Sequence, residues 1–386
     1  MLTSSIPFSS EHAPDFFTQF PTAPAVFLLR GAGDVTEPYI SKTANLRRRL
    51  QRLLAPPESQ SKRLNLRNRV AVIEFSLSGS DFEATLLLYR LLRERFPESY
   101  QKRLRLRPAP VIRLNLENEY PRAYVTTRIG KLAGKSLYYG PFRSRAAAEK
   151  FLNDSLDLFK MRRCTFDLNP DPSFPGCVYS EMKMCLAPCF KGCTDQAYMA
   201  EVGRVQAYFD SSGHSLIAEM ESERERLSTE LDFEGAAAQH AKIGKIKGIL
   251  SACDELCGRL DRLDAVIVQP SAENGQIDLF RFRHGELAGP VRFQVKIEDE
   301  SISLEGRIRA ALDQFDRVGN RSVQRFSEEL AIVKRWYYRS HKVGEIFFAD
   351  REGELPVRRI ARAAGRVHKG KTEFPSEEPA VPPHQH

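Results

Sequence analysis

The strongest constraint on this chain is a cluster of thiols. Five of its seven cysteines fall between Cys164 and Cys193, spaced Cys164-x12-Cys177-x7-Cys185-x3-Cys189, with Cys193 four residues further on. The stretch between the first two holds Pro170, Pro172 and Pro175, which lack backbone donors and break regular elements. Such a loop does not fold on its own, and a metal centre would staple it. The N-terminus has no basic start followed by an apolar run, so it does not read as a secretory signal. No apolar run approaches the roughly 18 residues of a membrane span. The chain therefore reads as cytoplasmic with no membrane partner. Thiols stay reduced there, so clustered cysteines read as metal ligands rather than disulfides. Four thiolates suit tetrahedral Zn²⁺ or an iron–sulfur cluster, and spacing leaves both open. Cys253 and Cys257, one helical turn apart, read as core or half-exposed thiols.

Around this cluster the pattern predicts an α/β (α+β) protein of several domains. The 386 residues, 42% hydrophobic, suffice for two or three cored domains. Residues 1–23 are Ser/Pro-rich and predict a flexible arm. Residues 24–101 predict a small α/β domain, with strands at 25–30, 38–41 and 69–77 and helices at 43–54 and 80–95. Residues 102–161 read as a basic linker region ending in a helix, and 162–200 as the cysteine-rich metal-binding segment. The stretch 194–250 reads as helical throughout, with a helical hairpin over 201–257. Residues 258–365 predict an α+β domain, a β-meander followed by helices. The tail, 366–386, is Pro/Glu-rich and predicts disorder.

Charge points to a polyanionic partner. The chain has 58 basic and 50 acidic residues, a net +8. Three basic runs stand out: Lys42 with Arg47, Arg48, Arg49 and Arg52; Lys62, Arg63, Arg67 and Arg69; and Lys102, Arg103, Arg105, Arg107 and Arg113. In the first run Leu46, Leu50, Leu53 and Leu54 take the core face at helical spacing, which turns the arginines outward. Guanidinium forks grip phosphate oxygens in pairs. A single run reads most simply as a solvated face. Three runs, with Tyr100, Tyr120 and Tyr124 nearby, favour nucleic acid, with Arg47, Arg48, Arg52, Arg103 and Arg105 as candidate DNA contacts.

Five motifs stand in a fixed order. They are Tyr39-Ile-Ser-Lys-Thr-Ala-Asn-Leu-Arg-Arg-Arg49, Tyr120-Pro-Arg-Ala-Tyr-Val-Thr-Thr-Arg128, Tyr138-Tyr-Gly-Pro-Phe142, Met184-Cys-Leu-Ala-Pro-Cys189 and Leu231-Asp-Phe-Glu-Gly-Ala-Ala-Ala238. Each is of moderate specificity. In this order they resemble the UvrC excinuclease family of bacterial nucleotide excision repair, from about Pro24 to about Val357. The resemblance implies a GIY-YIG nuclease domain over 24–101, and a [4Fe-4S] cluster on Cys164, Cys177, Cys185 and Cys189, with zinc as the alternative. It also implies a UVR helical hairpin that pairs with UvrB, another component of the excinuclease, through Leu227, Leu231, Phe233 and Ala237.

In that family the GIY-YIG domain cuts DNA 3′ to a lesion. Carried over by motif, Tyr39 is the YIG tyrosine, Lys42 the nearby lysine and Arg49 the catalytic arginine. The departures are substantial. Phe27 stands for the GIY tyrosine, Ser41 for the YIG glycine, Tyr89 for the metal-binding glutamate and Gln101 for the following asparagine. At about 100° per residue, Glu83 and Glu94 lie off the face of Tyr89, and Asp81 lies two turns away. With no carboxylate, Mg²⁺ has little to hold it. The resemblance thus implies a degenerate 3′ site that still grips phosphate through Arg49 and Lys42. The RNase H-like domain of the family would follow these residues, so no 5′ cut is expected from them. Two readings follow: a protein that binds DNA and UvrB without cutting, or an endonuclease making one 3′ incision from a rearranged site.

Overall fold

Three four-stranded antiparallel sheets, each with its own helices, organise the computed structural model, which describes residues 2–33, 37–56, 64–132, 134–283, 285–296, 302–315 and 322–370. The first unit contains Ser4–Pro7 (β1), Ala25–Arg30 (β2), Tyr39–Thr43 (β3), Leu46–Leu54 (α1), Val72–Leu77 (β4), Asp81–Arg95 (α2) and Tyr100–Leu104 (α3). Its strand order is β1-β4-β2-β3. α1 starts where the Asn45 side chain accepts the Arg48 N–H, and α2 where Ser80 accepts that of Glu83. Alternation along β3 sends Tyr39 to the face covered by α1 and Ile40 to the face covered by α2.

Residues 2–23, as described, are not the flexible arm that the composition of 1–23 predicts. β1 pairs with β4 as an edge strand, and Phe8, Phe17 and Phe20 are buried with Leu46, Leu50 and Phe75. Three aromatics without helical or strand periodicity leave no sequence pattern, yet they supply enough apolar surface to pin the segment.

The second unit contains Val111–Asn115 (β5), Arg122–Thr126 (β6), Leu137–Gly140 (β7), Arg145–Leu156 (α4), Val178–Glu181 (α5), Asp195–Asp210 (α6), His214–Thr229 (α7), Phe233–Leu250 (α8) and Gly258–Arg259 (β8). The expected linker at 102–161 is therefore half of a folded domain. Its Ile112, Leu114 and Phe151 share one core with Tyr198, Val202 and Tyr208 of α6 and Ile246 of α8. The span 194–250 is helical as expected, in three helices, α6, α7 and α8. The chain turns at Gly213, with φ 84°, and a Cβ there would stand 2.4 Å from Leu250. The hairpin accordingly begins at His214, not at 201, because α6 belongs to the domain core. β8 then returns to pair with β7.

The third unit contains Asp264–Pro270 (β9), Gln276–Arg283 (β10), Glu286–Gln294 (β11), Leu304–Asp313 (α9), Val323–Tyr337 (α10), Glu345–Phe348 (β12) and Val357–His368 (α11). The meander appears as expected, and β12 joins it beyond β9, giving the order β11-β10-β9-β12. α9 and α11 cover one face through Val266, Val268, Ile277 and Leu279. The other face, with Ile267, Phe280 and Phe282, packs on α10 and on α2 of the first unit. Phe82 of α2 meets Phe280 edge-on at 5.1 Å and lies 5.2 Å from Trp336. Gly79 permits this approach, since a Cβ there would fall 2.0 Å from the Pro270 carbonyl oxygen. α11 occupies the start of the segment expected to be a tail; residues 371–386, like Lys62 and Arg63, lie outside the described residues. No described helix is long and apolar enough to cross a membrane.

Candidate functional site

Cys164, Cys177, Cys185 and Cys189 all line one small cavity, with Arg162, Phe166, Tyr179 and Pro188 among its other walls. Local backbone chemistry sets each thiol. Cys177 caps α5, and Ala187 takes a left-handed conformation, φ 57°, that folds Cys185 and Cys189 back on one another. The Leu186 N–H bonds to the Lys160 carbonyl at 3.0 Å, and the Asp171 N–H to the Cys189 carbonyl at 2.8 Å, tying the proline loop to the core. Arg162, only 1% exposed, donates to the Tyr120 carbonyl and, through Nη1, to Cys164 Sγ at 3.3 Å. The Ala187 N–H donates to Cys185 Sγ at 3.3 Å. Burial pushes the Cys185 thiol up to about 11, and the other three thiols add to the shift. N–H donors aimed at sulfur favour the thiolate, the form that binds metal. This donor set fits a four-thiolate centre. Among the described residues no group of three or more His, Cys, Asp or Glu side chains is arranged around a single-ion position.

The other cysteines stand apart. Cys193 packs against the core outside this cavity. Cys257 donates to the Pro141 carbonyl at 3.1 Å and lies 3.5 Å from the Tyr338 hydroxyl, at a joint between the second and third units.

In the first unit the motif residues separate into two groups. Arg49 donates to the Tyr39 hydroxyl at 2.8 Å, with the buried ring of Phe27 6.0 Å from that of Tyr39. Lys42 lies elsewhere, donating to Asp81 and, at 2.6 Å, to Thr85 on α2. No hydrogen bond joins Lys42 to the Tyr39–Arg49 pair among the described residues. Asp81 also accepts from Arg339 of the third unit. Burial opposes the Asp81 carboxylate, but Lys42 and Arg339 outweigh it and hold its pKa below the ordinary value.

Tyr89 and Gln101, which the resemblance sets at the metal-binding positions, converge on one carboxylate. Tyr89 donates to Glu328 Oε2 at 2.8 Å, while Tyr100 and Gln101 donate to Oε1 at 2.7 and 2.6 Å. Glu328 belongs to α10, so position 89 lies 1% exposed under a helix of another unit. Burial, then the Glu328 carboxylate, raises the Tyr89 pKa and keeps the phenol protonated as donor. Arg90 seals the contact by donating to the Gly289 and Leu287 carbonyls at 2.6 and 2.8 Å.

The expected DNA contacts divide likewise. Arg48 and Arg52 are exposed and, with Arg49, Thr43 and Asn45, line an open cleft of about 770 Å³ at the start of α1. Arg105 is exposed at the end of α3. Arg47 is instead an internal strut, donating to the Phe20 and Thr18 carbonyls at 2.6 and 2.8 Å. Arg103 pairs with Glu37 and stacks on Phe96 at 4.0 Å. Arg67, from the second run, is buried against the Leu54, Ser10 and His12 carbonyls. Carbonyl acceptors carry no sequence signature, so composition cannot tell a strut from a free arginine.

At the hairpin tip Leu231 and Phe233 are 73% and 67% exposed, Ala237 is exposed and Leu227 half-buried. Asp232 caps α8 through the Gly235 N–H at 2.9 Å. Sequence reasoning missed Glu328 and Arg162. Glu328 sits 239 residues from Tyr89, beyond any local pattern. Arg162, close before the first cysteine, was a visible signal, since a buried cation suits a thiolate cluster.

Residues 109–208 match the family described as UvrC/Cho excinuclease, middle domain, which spans the cysteine cavity and its supporting core. The chain is similar to UvrABC system protein C of Bdellovibrio bacteriovorus, 31% identical over 245 residues, covering 62% of this chain and 38% of that protein. It is 26% identical to the Actinobacillus pleuropneumoniae protein of that name over 290 residues, 75% and 47% of the two chains. With the Dehalococcoides mccartyi protein it shares 24% identity over 276 residues, 71% and 44%. The chain thus spans less than half the length of these curated relatives. No solved structure matches.

Proposed function

From the premise that this chain is a relative of the UvrC proteins, we propose that it is a nucleotide excision repair factor that binds DNA and UvrB without cutting DNA. The observation that carries this reading is the Tyr89–Glu328 contact. The position that would hold the metal in a GIY-YIG nuclease is a buried phenol, closed off by α10. A Mg²⁺ ion needs free carboxylate oxygens and open positions for phosphate; here the carboxylate, Glu328, is taken up by Tyr89, Tyr100 and Gln101, and α10 covers the position. The first unit keeps a binding role. The cleft beside Arg49 presents the exposed Arg48 and Arg52 guanidinium groups to solvent, where they suit phosphate.

The four cysteines would hold a [4Fe-4S] cluster, with zinc the alternative; when bound, the centre supplies cross-links between 164 and 189. Arg162 and the Ala187 N–H orient and neutralise the sulfurs. Its role here is structural, fixing the joint from which the hairpin projects. The hairpin, read as a UVR motif, offers Leu231, Phe233 and Ala237 to a matching hairpin of UvrB, and two such hairpins close into a four-helix bundle.

Co-elution of the chain with UvrB, and anisotropy of labelled duplex DNA, test the binding roles. Leu231→Asp with Phe233→Asp should abolish co-elution and leave the melting temperature unchanged, because both side chains are exposed. Unaltered co-elution would exclude the hairpin tip as the contact.

A further inference from the structure

Helix α11 carries a charge pattern that none of the sites above uses. Its twelve residues hold four arginines and no acid, and Lys369 follows directly. The whole chain carries 58 basic against 50 acidic residues, so four arginines and no acid in twelve residues are a local concentration. The helix is anchored by Ile360, Ala364 and Val367, buried against the third sheet. Two arginines serve that anchoring. Arg366 grips Glu345 with bonds of 2.9 and 2.6 Å, and Arg359 lies over the Phe347 ring at 5.6 Å. The remaining cations face outward. The Arg358 side chain is 85% exposed, with Glu305 3.6 Å away as a loose partner. Arg362 and Lys369 are exposed, and no ion partner for either occurs among the described residues. At about 100° per residue the three lie within about 40° of one another, along a rise of about 16 Å.

We infer that this outer face of α11 is a second nucleic-acid contact surface, gripping backbone phosphates through Arg358, Arg362 and Lys369. Three cations held on a packed helix meet a row of phosphates without reading bases, and the released counterions drive association. An anionic membrane is the weaker match. Membrane-surface helices insert an apolar face, and the apolar face of α11 is committed to the core. The inference rests on the DNA-binding reading proposed above.

The test uses the full chain and a labelled duplex, with anisotropy followed over a salt series. The variant is R358E/R362E/K369E, whose melting temperature should match that of the wild type because the replaced side chains are exposed. Its affinity should fall about tenfold or more, and its log–log salt slope by roughly 2 to 3, about 0.9 per lost phosphate contact. R358K/R362K should keep the slope near its wild-type value. Equal affinity and slope in the triple variant would overturn the assignment to α11 while leaving DNA binding standing. A wild type that binds no DNA would overturn both. Vesicle binding lost in the triple variant, with DNA binding intact, would assign the face to anionic lipid and overturn the inference.

Discussion

The Tyr89 hydroxyl donates to Glu328 across 2.8 Å, joining a helix of the first unit to one of the third, 239 residues apart. Tyr100 and Gln101 complete the grip on the same carboxylate. Two positions that the resemblance reads as lost metal-site residues are thus donors to an interdomain clamp. A tyrosine suits that exchange: its ring fills the packed interface and its hydroxyl meets an acceptor.

Removing the acceptor should be costly. Glu328→Ala leaves the buried Tyr89 and Tyr100 hydroxyl protons without their acceptor, an expected loss of about 2–4 kcal/mol. Tyr89→Phe removes one donor and should cost about 1 kcal/mol. Urea unfolding gives both values. Equal stability of Glu328→Ala and wild type would show that the clamp carries no weight.

A buried carboxylate pair at the same interface should make stability depend on pH. Glu83 of α2 and Asp278 of β10 face each other, with Gly79, Ser271, Glu273 and Arg292 around them. Burial first, then Asp278, pushes Glu83 from 4.5 up to about 7, and burial pushes Asp278 from 3.8 up to about 6. The folded state therefore holds protons that the unfolded state releases. The resulting stability is complete below the ordinary carboxyl range and is lost as pH rises through 6 to 7. Melting temperature should decline over that interval, and Glu83→Gln should flatten the decline. An unchanged profile in Glu83→Gln would assign the dependence to other groups.

The cysteine cavity predicts a metal-dependent domain. Anaerobically purified protein should contain iron, with zinc as the alternative. Cys185→Ser should lose the metal and melt about 5–10 °C lower, since metal binding free energy is folding free energy. Cys193→Ser, outside the cavity, should keep the metal. Retention of full metal content by Cys185→Ser would remove that residue from the ligand set.

Much of this molecule was legible in advance. The helix start at Ser80, leucines at helical spacing in α1 and the alternating strands of the meander are local signals, and each produced its element. The cysteine spacing brought four thiols to one cavity. What stayed hidden depends on contacts far apart in sequence. Phe17 and Phe20 give no hint that they bury the N-terminal segment, and Arg47 and Arg103 look like surface charges until carbonyls and Glu37 engage them. Tyr89 could be read as a lost metal ligand, but not as a gained contact.

The most direct test of a non-cutting role is incision itself. Lesion-bearing duplex is incubated with the chain, UvrB and Mg²⁺, and the products are resolved on a denaturing gel. No 3′ incision is expected from the wild type, nor from Tyr89→Glu, whose new carboxylate would face Glu328 under α10 rather than open solvent. Mg²⁺-dependent 3′ cutting by the wild type that disappears in Arg49→Ala would contradict the account.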